Sequence, residues 1–456
     1  MTEGETTARR LAIVAFLPDW GHIQPLMRIA AAARAAGIEV KCFVPEQARS
    51  LIEQEGHPVH LLDKSPSDAM ATFRKLGRRS TFFREFSGHA HHDLLVVPDT
   101  VAALERSLPA FSEAIRAFDP HLMVCDFAVF GRYYRQVAQS LGVPLVTHHG
   151  SYGFAVLHRK YIQTYGFDGA SSARMRAVET TGAAFEFGYR RAFYALHAAR
   201  YLSWRKQKRS FEAALDRWFP AGDNPPSDVT EILSPIGWIE RHFLRPDLPM
   251  LPGFRLFAPR RLASADLSDD VSNWLAAAPE KVIYVSFGSM VSLSPGRRAL
   301  LFRRLERTGH RILWSAPKEE CAHLEHLAAG NPNIWITSYV AQAALLRRPE
   351  LACFITHGGM NGAVEAWAGG TPTLCIPFFV DQPYIGSIIE QIGTGLRAWK
   401  EEIGSASFDR KLDQVLSGTF RPRTAEVAAE MTKYEEAEDL QRFLVEAVHA
   451  SPKRPS

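Results

Sequence analysis

The sequence predicts an α/β protein built from two doubly wound domains that face each other across a cleft. Short apolar runs alternate with helical patterns over the first 150 residues and again from about 280 to 400, as expected of parallel strands joined by crossover helices. The chain has 456 residues, of which 46% are apolar. This is enough apolar sequence for two hydrophobic cores.

The N-terminal domain is predicted to span residues 1–255. Its apolar runs at 11–17, 38–44, 58–62, 121–127 and 144–149 are separated by helical patterns at 25–37, 46–56, 101–118 and 133–142. We expect the first helix to begin at Pro25 and to end at Gly37, because proline is favoured at the first position of a helix and glycine just past its end.

Residues 151–245 interrupt this alternation and predict a helical insert rich in aromatic residues and arginine. Between Glu186 and Glu212 the insert has seven Lys or Arg residues and no acid. A solvated helical face explains such a run. The alternative is a peripheral contact with a membrane surface or an acidic partner.

The C-terminal half repeats the α/β pattern after a predicted linker at 256–280, which is rich in proline and polar residues. Its strand-like runs lie at 281–287, 311–316, 333–337, 351–356 and 373–377. They predict a second doubly wound domain over 281–420. A C-terminal helix and tail are predicted over 421–456.

The overall composition is that of a cytoplasmic protein. The formal charge of +4 is nearly balanced, so no nucleic-acid partner is expected. Five scattered cysteines without a CxxC pair predict buried free thiols in a reducing compartment. We expect no targeting segment and no membrane span, because the N-terminus is polar and no apolar run reaches about 18 residues.

A glycine-rich segment, FITHGGMNGAVEAWAGGTPTLCIPFFVDQ, predicts an anion-binding site. A strand-like run leads into a helix start, where free N–H groups and the helix dipole favour phosphate. Gly358 and Gly359 are expected to let the backbone approach the ligand, and His357 and Asn361 to donate hydrogen bonds to it. The spacing matches neither GxGxxG nor a P-loop, and a tight turn that only packs is the alternative.

Three further polar residues of this segment can bind sugar hydroxyl groups. Glu365 follows one turn into the predicted helix, and Asp381 and Gln382 follow the next predicted strand. Carboxylates and amides are suitable partners for hydroxyl groups. Sugars are built of hydroxyl groups, so these residues weaken the alternative of a turn that only packs.

Residues 339–382 resemble the donor-binding signature of the family 1 glycosyltransferases, the UDP-glycosyltransferases. The resemblance extends to YVSFGS at 284–289, GHIQPL at 21–26 and VCDF at 124–127. It implies the GT-B fold of two Rossmann-like domains. It also implies that a sugar, such as glucose, is transferred from a UDP-sugar to an acceptor hydroxyl with inversion at the anomeric carbon.

The resemblance also assigns roles to individual residues. It implies that Tyr339 stacks on uracil, that Gln342 lies close to the nucleoside and that Glu365 chelates the ribose diol. The implied diphosphate contacts are Ser289, His357 and Asn361, and the implied sugar contacts are Asp381 and Gln382. Three neighbouring positions complete the implied donor site: Val340, Gly359 and Gly362.

The chain departs from the family at four positions. Plant members often have Trp where Tyr339 and Met360 stand, Ser at Gly362 and His at Arg348. These departures concern base stacking and one phosphate contact. The donor nucleotide, uridine or thymidine, stays open.

His22 and Asp126 are the candidate catalytic residues. His22 follows the first predicted strand and Asp126 lies at the end of another, so we expect both at the same carboxyl edge of the sheet. An imidazole is a suitable proton acceptor near neutral pH, and a carboxylate can fix its tautomer. The two positions match the catalytic dyad of the resembled family. His148 and His149 are candidate contacts for the acceptor.

No metal or other cofactor is expected, because the chain contains no DxD motif. Protein groups would then stabilise the departing diphosphate. The cluster GHAHHD at 88–93 matches no metal-ligand spacing and is interpreted as a loop. Aromatic segments at 82–86, 151–156 and 160–167 predict a pocket for a lipophilic small-molecule acceptor.

Two other functions would use the same donor site. One is a sugar-nucleotide epimerase of the same fold, and the other is a sugar-nucleotide-binding protein without catalytic activity. The aromatic insert and the pair formed by His22 and Asp126 favour a transferase.

Overall fold

Two parallel sheets flanked by helices form the protein, which confirms the predicted fold class. The computed structural model describes residues 9–16, 20–54, 56–62, 97–126, 131–149, 195, 198–220, 229–233, 235–244, 246, 254–256, 266–277, 281–288, 291–378, 381–437 and 440–450.

The first sheet has seven parallel strands. In chain order they are β1 (Arg10–Val14), β2 (Glu39–Val44), β3 (Val59–Leu61), β4 (Leu122–Asp126), β5 (Leu145–His149), β6 (Val229–Leu233) and β7 (Phe254–Leu256). Their order in the sheet is β3-β2-β1-β4-β5-β6-β7. Helices α1 (Trp20–Ala35), α2 (Arg49–Gln54), α3 (Val97–Phe118), α4 (Gly131–Leu141) and α5 (Ala198–Trp218) accompany it, with a short 3₁₀ turn at Glu46–Ala48.

The first helix begins earlier than the sequence predicts. Helix α1 starts at Trp20, so Pro25 lies inside it and His22 lies in its first turn instead of in a loop. Pro25 is the sixth residue of α1, so it lies just beyond the four N–H groups that have no partner within a helix and removes one helical hydrogen bond. Gly37 follows the helix with φ +77°, as glycine often does at a helix end.

The second sheet has six parallel strands. They are β8 (Val282–Ser286), β9 (Arg311–Ser315), β10 (Ile334–Thr337), β11 (Leu351–Thr356), β12 (Thr373–Cys375) and β13 (Gly395–Arg397), in the sheet order β10-β9-β8-β11-β12-β13. The other α-helices of the described residues are α6 (Pro235–Ile239), α7 (Asp269–Ala276), α8 (Pro295–Glu306), α9 (Lys318–Ala328), α10 (Gln342–Leu345), α11 (Met360–Gly369), α12 (Gln382–Ile392), α13 (Ala406–Leu416), α14 (Arg421–Ala437) and α15 (Leu440–His449), and a π-helical turn at Glu240–Leu244 follows α6.

The predicted insert and linker both contain parts of the domains themselves. Strand β6 lies within the predicted helical insert and pairs with β5. Its sequence, VTEIL, is too short for its period to distinguish strand from helix. Helix α7 lies within the predicted linker, where Val271 and Leu275 are buried in the core of the second domain.

Two segments cross from one domain to the other. Helix α6 follows a strand of the first sheet, yet Ile236 and Ile239 pack with Trp367 in the second domain. The predicted C-terminal helix is in fact two helices, α14 and α15. The second of them returns to the first domain, where Leu444 is buried in the core that contains Leu26 of α1.

The five cysteines are free. Cys42, Cys125, Cys353 and Cys375 are buried as predicted, while Cys321 is partly exposed. Burial raises the pKa of the thiols of Cys42 and Cys353 to about 12. No helix within the described ranges is long and apolar enough to span a bilayer.

Candidate functional site

Hydroxyl-bearing residues end four neighbouring strands of the second sheet. Thr337 pairs with Ser315, Ser315 with Ser286, and Ser286 with Thr356. The register therefore aligns the four strand ends in one row. In doubly wound sheets this carboxyl edge is where ligands bind.

Two residues of this row begin matching tight turns. The hydroxyl of Ser286 accepts a hydrogen bond from the N–H of Gly288, and that of Thr356 accepts one from Gly358, each over 3.4 Å. Gly288 and Gly358 have φ angles of +68° and +80°, which side-chain-bearing residues rarely adopt. The chain therefore turns sharply at both strand ends.

The imidazole of His357 occupies the space beside these turns. A Cβ on Gly359 would lie 2.5 Å from His357 Nε2, and one on Gly288 would lie 3.0 Å from His357 Cε1. A Cβ on Gly358 would lie 2.5 Å from the Sγ of Cys375. The missing side chains of Gly358 and Gly359 thus leave room for His357 and Cys375, while the expected approach of their backbone to a ligand stays a prediction.

His357 is neutral near pH 7. Burial lowers its pKa to about 4, because a charged imidazole loses hydration when it is removed from water. Its Nδ1 is shielded from solvent and has no hydrogen-bond partner among the described residues. Buried polar atoms are nearly always paired, so a ligand group at this nitrogen would complete its hydrogen bonding.

Glu365, on α11, is contacted by glutamines from both domains. Gln342 donates from Nε2 to Glu365 Oε2 over 2.7 Å, and its Oε1 accepts from the hydroxyl of Tyr284 over 2.8 Å. From the first domain, Gln24 on α1 donates from Nε2 to Glu365 Oε1 over 3.4 Å. The predicted ribose-binding carboxylate is therefore oriented through both of its oxygens.

The segment after β10 presents an exposed aromatic ring. Tyr339 is 73% exposed, and its backbone N–H and C=O both bond to the hydroxyl of Thr337. An accessible ring of this kind can stack on a nucleobase.

The next predicted donor-site residue, Val340, packs into the core of the second domain. Arg348, where the family commonly has His, pairs with Glu350 over 2.6 Å.

Four more predicted donor-site residues lie at two helix starts. Asn361 and Gly362 are in the first turn of α11, and Asp381 is the residue before α12. Gln382 is buried, and its Oε1 accepts from the N–H of Phe378 over 2.9 Å. This side-chain oxygen therefore accepts a hydrogen bond from the backbone, which the sequence did not predict.

In the first domain, Asp126 contacts His148. The two residues pair in register at the ends of β4 and β5, and His148 Nδ1 lies 3.5 Å from Asp126 Oδ1. Because a carboxylate only accepts hydrogen bonds, Nδ1 is the protonated nitrogen. Burial lowers the pKa of His148 although Asp126 raises it, so the imidazole is neutral and Nε2 carries a lone pair. This Nε2 is buried without a partner in the described part of the chain.

Several predicted residues lie outside the described residues. They are Ser289, the side chain of His22, the cluster at 88–93 and the aromatic segments at 82–86, 151–156 and 160–167. The expected contact between His22 and Asp126 therefore stays a prediction. Within the described ranges, no group of three or more His, Cys, Asp or Glu side chains could hold a metal ion.

Sequence reasoning missed the contacts made by Gln24, Tyr284 and His148. Gln24 and Tyr284 lie in the segments GHIQPL and YVSFGS, which carry the family resemblance. Their residue types gave no separate indication, because a glutamine in a helix start and a tyrosine in a buried strand are common. Only the spatial arrangement shows that both belong to the environment of Glu365.

Comparison with known proteins matches residues 233–438 to the family described as UDP-glucoronosyl and UDP-glucosyl transferase. Crocetin glucosyltransferase 2 of Crocus sativus is 30% identical over 191 residues, which are 40% of this chain and 39% of that protein. Anthocyanidin 3-O-glucosyltransferase of Zea mays is 28% identical over 237 residues, which are 49% of this chain and 47% of that protein. The chain thus spans less than half the length of these curated relatives.

Similarity to solved structures covers nearly the whole chain. The glycosyltransferase SnogD from Streptomyces nogalater superimposes with a TM-score of 0.62 at 19% identity, over 97% of this chain and 100% of that one. At this identity the likeness shows the shared GT-B fold only. The family match and the relatives just described show that residues 233–438 of the chain are similar to the UDP-glycosyltransferases.

Proposed function

We propose that the protein is an inverting glycosyltransferase that moves a hexose, such as glucose, from a UDP-sugar to a hydroxyl of a lipophilic small molecule. The observation that carries this proposal is the turn from β11 into α11. It combines the neutral, incompletely paired His357 with Glu365, whose two oxygens are already oriented. Phosphate and ribose diol are the ligand groups that such residues recognise. The relatives described above are glucosyltransferases by name, which supports a glucose donor.

The proposed reaction is a displacement at the anomeric carbon. His22, in the first turn of α1, takes the proton of the acceptor hydroxyl. The acceptor oxygen then forms a bond to the anomeric carbon while the bond from that carbon to the β-phosphate oxygen breaks. UDP leaves with the electron pair, and attack from the opposite face inverts the configuration.

Protein groups are proposed to stabilise the departing diphosphate. His357 can donate one N–H, and the first turn of α11 adds the positive end of its helix dipole. We propose that no divalent metal ion is needed, since the chain contains no DxD motif. A cytoplasmic setting is proposed because the five cysteines are free thiols, which a reducing compartment maintains.

A panel of lipophilic alcohols and phenols incubated with UDP-hexoses tests the function, with mass spectrometry to detect the gain of one hexose. His22→Ala is expected to lower the transfer rate about 10²- to 10⁴-fold and to leave UDP affinity unchanged. Glu365→Ala should instead weaken UDP binding, because each charged hydrogen bond contributes about 1.5–3 kcal/mol. His57→Ala, at a buried histidine before β3, is the matched control and should retain both properties.

Three results would contradict this function. Full transfer by the His22→Ala protein would remove the proposed base, and a product that retains the donor configuration by NMR would exclude a single displacement. UDP binding that requires Mg²⁺ would refute the metal-free site. Interconversion of UDP-sugars without an acceptor would instead identify an epimerase, and UDP binding without any turnover would identify a binding protein.

A further inference from the structure

Gln24 has one polar atom bonded and the other unpaired. Its Nε2 donates to Glu365 Oε1 across the contact between α1 and α11, over 3.4 Å. Its Oε1 is shielded from solvent and has no hydrogen-bond partner among the described residues. A buried amide oxygen without a partner is unfavourable, so a group that satisfies it would bind preferentially there.

The chemistry of this oxygen restricts what can bind. An amide oxygen only accepts hydrogen bonds, so its partner must be a donor. It lies beside Glu365, which also accepts hydrogen bonds and whose Oε2 is already bonded to Gln342. Two neighbouring acceptors are suited to a ligand with two neighbouring donors, and the two hydroxyl groups of a ribose provide such a pair.

We propose that Gln24 is a nucleotide-binding residue contributed by the first domain. Its Oε1 accepts a hydrogen bond from one ribose hydroxyl of the donor, while its Nε2 orients Glu365 to bind the other. This inference rests on the proposed UDP-sugar donor and adds a contact from the opposite domain. Because Gln24 is two residues from His22 in α1, a bound nucleotide also fixes the helix that carries the proposed base.

Calorimetric titration of the full chain with UDP, 2′-deoxy-UDP and 3′-deoxy-UDP tests the contact. Gln24→Met keeps the length and helix propensity of glutamine but has neither polar atom. The variant is expected to bind UDP about tenfold more weakly, since a ribose hydroxyl loses its partner. For the deoxy analogue that lacks this hydroxyl, the substitution should cost less affinity than it does for UDP, because only the bond that orients Glu365 is then lost.

A second variant and a control make the test independent of one substitution. Gln24→Glu keeps an acceptor oxygen but brings a second carboxylate to Glu365, so it should weaken UDP binding more than Gln24→Met does. Gln391→Met, at an exposed glutamine of α12 that bonds to Ser387, should leave all three affinities unchanged. Melting curves followed by circular dichroism verify that each variant is folded.

The outcomes separate this inference from the proposed function. Unchanged UDP affinity in Gln24→Met or Gln24→Glu overturns the role of Gln24. A loss of affinity that is equal for UDP and for both deoxy analogues also overturns this role. In those cases the unmodified protein still binds UDP and Glu365→Ala still weakens it. If the unmodified protein does not bind UDP at all, the proposed donor itself is wrong.

Discussion

His357 is fixed in position by its neighbours and is electrically neutral. It is held beside Gly288 and Gly359, where a Cβ would lie 3.0 Å from Cε1 and 2.5 Å from Nε2 of its ring, and burial keeps it neutral. A neutral imidazole has one N–H that can donate to a phosphate oxygen, and it can be buried without the desolvation cost of a charged ring. The sequence identified His357 as a donor, but its protonation state follows from burial.

The lowered pKa of His357 predicts that the protein loses stability in mild acid. The folded-state pKa is about 4, below the value of about 6.5 in an unfolded chain. The unfolded state therefore binds this proton first as the pH falls. The free energy of unfolding should decrease between pH 6.5 and pH 4, by up to about 1.4 kcal/mol per pH unit from this group.

Urea unfolding at pH 7, 6 and 5 checks this prediction when the protein is compared with His357→Gln. The variant lacks this proton-binding site, so the difference in free energy of unfolding between the two proteins should shift in favour of the variant as the pH falls. His148 also has a lowered pKa, but it is present in both proteins and cancels in the difference. A difference that does not change with pH would contradict the burial of a neutral His357.

At the level of elements, strand ends and helix starts decide which residues meet. The register of β8 to β11 aligns Ser286 and Thr356, and their turns lead to the two glycines around His357. In the first sheet, the register of β4 and β5 brings His148 to Asp126. The register of the strands thus aligns residues of both candidate sites.

Two glycines at the start of α11 are predicted to respond differently to the same substitution. Gly359→Ala should destabilise the protein by about 1–3 kcal/mol, because its methyl group would overlap the His357 ring at 2.5 Å from Nε2. At Gly362 the nearest atoms to a new Cβ are 3.7 Å away. Gly362→Ala should therefore stabilise the helix, by up to about 1 kcal/mol.

Urea denaturation of the two alanine variants measures this difference directly. Because both changes add one methyl group within the same helix start, Gly362→Ala is the matched control for Gly359→Ala. Equal stability of the two variants would show that His357 does not fill the space beside Gly359.

At the level of the whole molecule, two helices connect the domains. Each of them packs into the core of the domain opposite to the one it follows in the chain. Helix α6 buries Ile236 and Ile239 in the second domain, and α15 buries Leu444 in the first. The contact between Gln24 and Glu365 lies between the same two domains. The C-terminal helix therefore stabilises the domain that carries the proposed base.

Leu444→Ala is predicted to destabilise the protein by about 2–5 kcal/mol, because it leaves a cavity beneath α15. Glu446→Ala, on the exposed side of the same helix, should change stability by less than about 0.5 kcal/mol. Urea unfolding followed by tryptophan fluorescence measures both values. If the two variants unfold at the same urea concentration, α15 does not contribute to the core of the first domain.

The sequence by itself determined the fold class and predicted the strand-to-helix turn that carries the candidate site of the second domain. Buried parallel strands are continuous apolar runs, and the turn into α11 is a local feature, so both can be recognised within one stretch of chain. His357 and Glu365 lie in the same short segment. The start of α1, strand β6 and helix α7 were missed because short segments of mixed polarity have no decisive period.

Only the tertiary structure decided which distant side chains meet. Asp126 contacts His148 because of the register between two strands, and register depends on how a whole sheet packs. Gln24 and Glu365 are 341 residues apart and meet where the two domains contact each other. The burial that keeps His357 neutral is likewise a property of all the groups packed around it, because desolvation depends on the surroundings of a side chain and not on its neighbours in the chain.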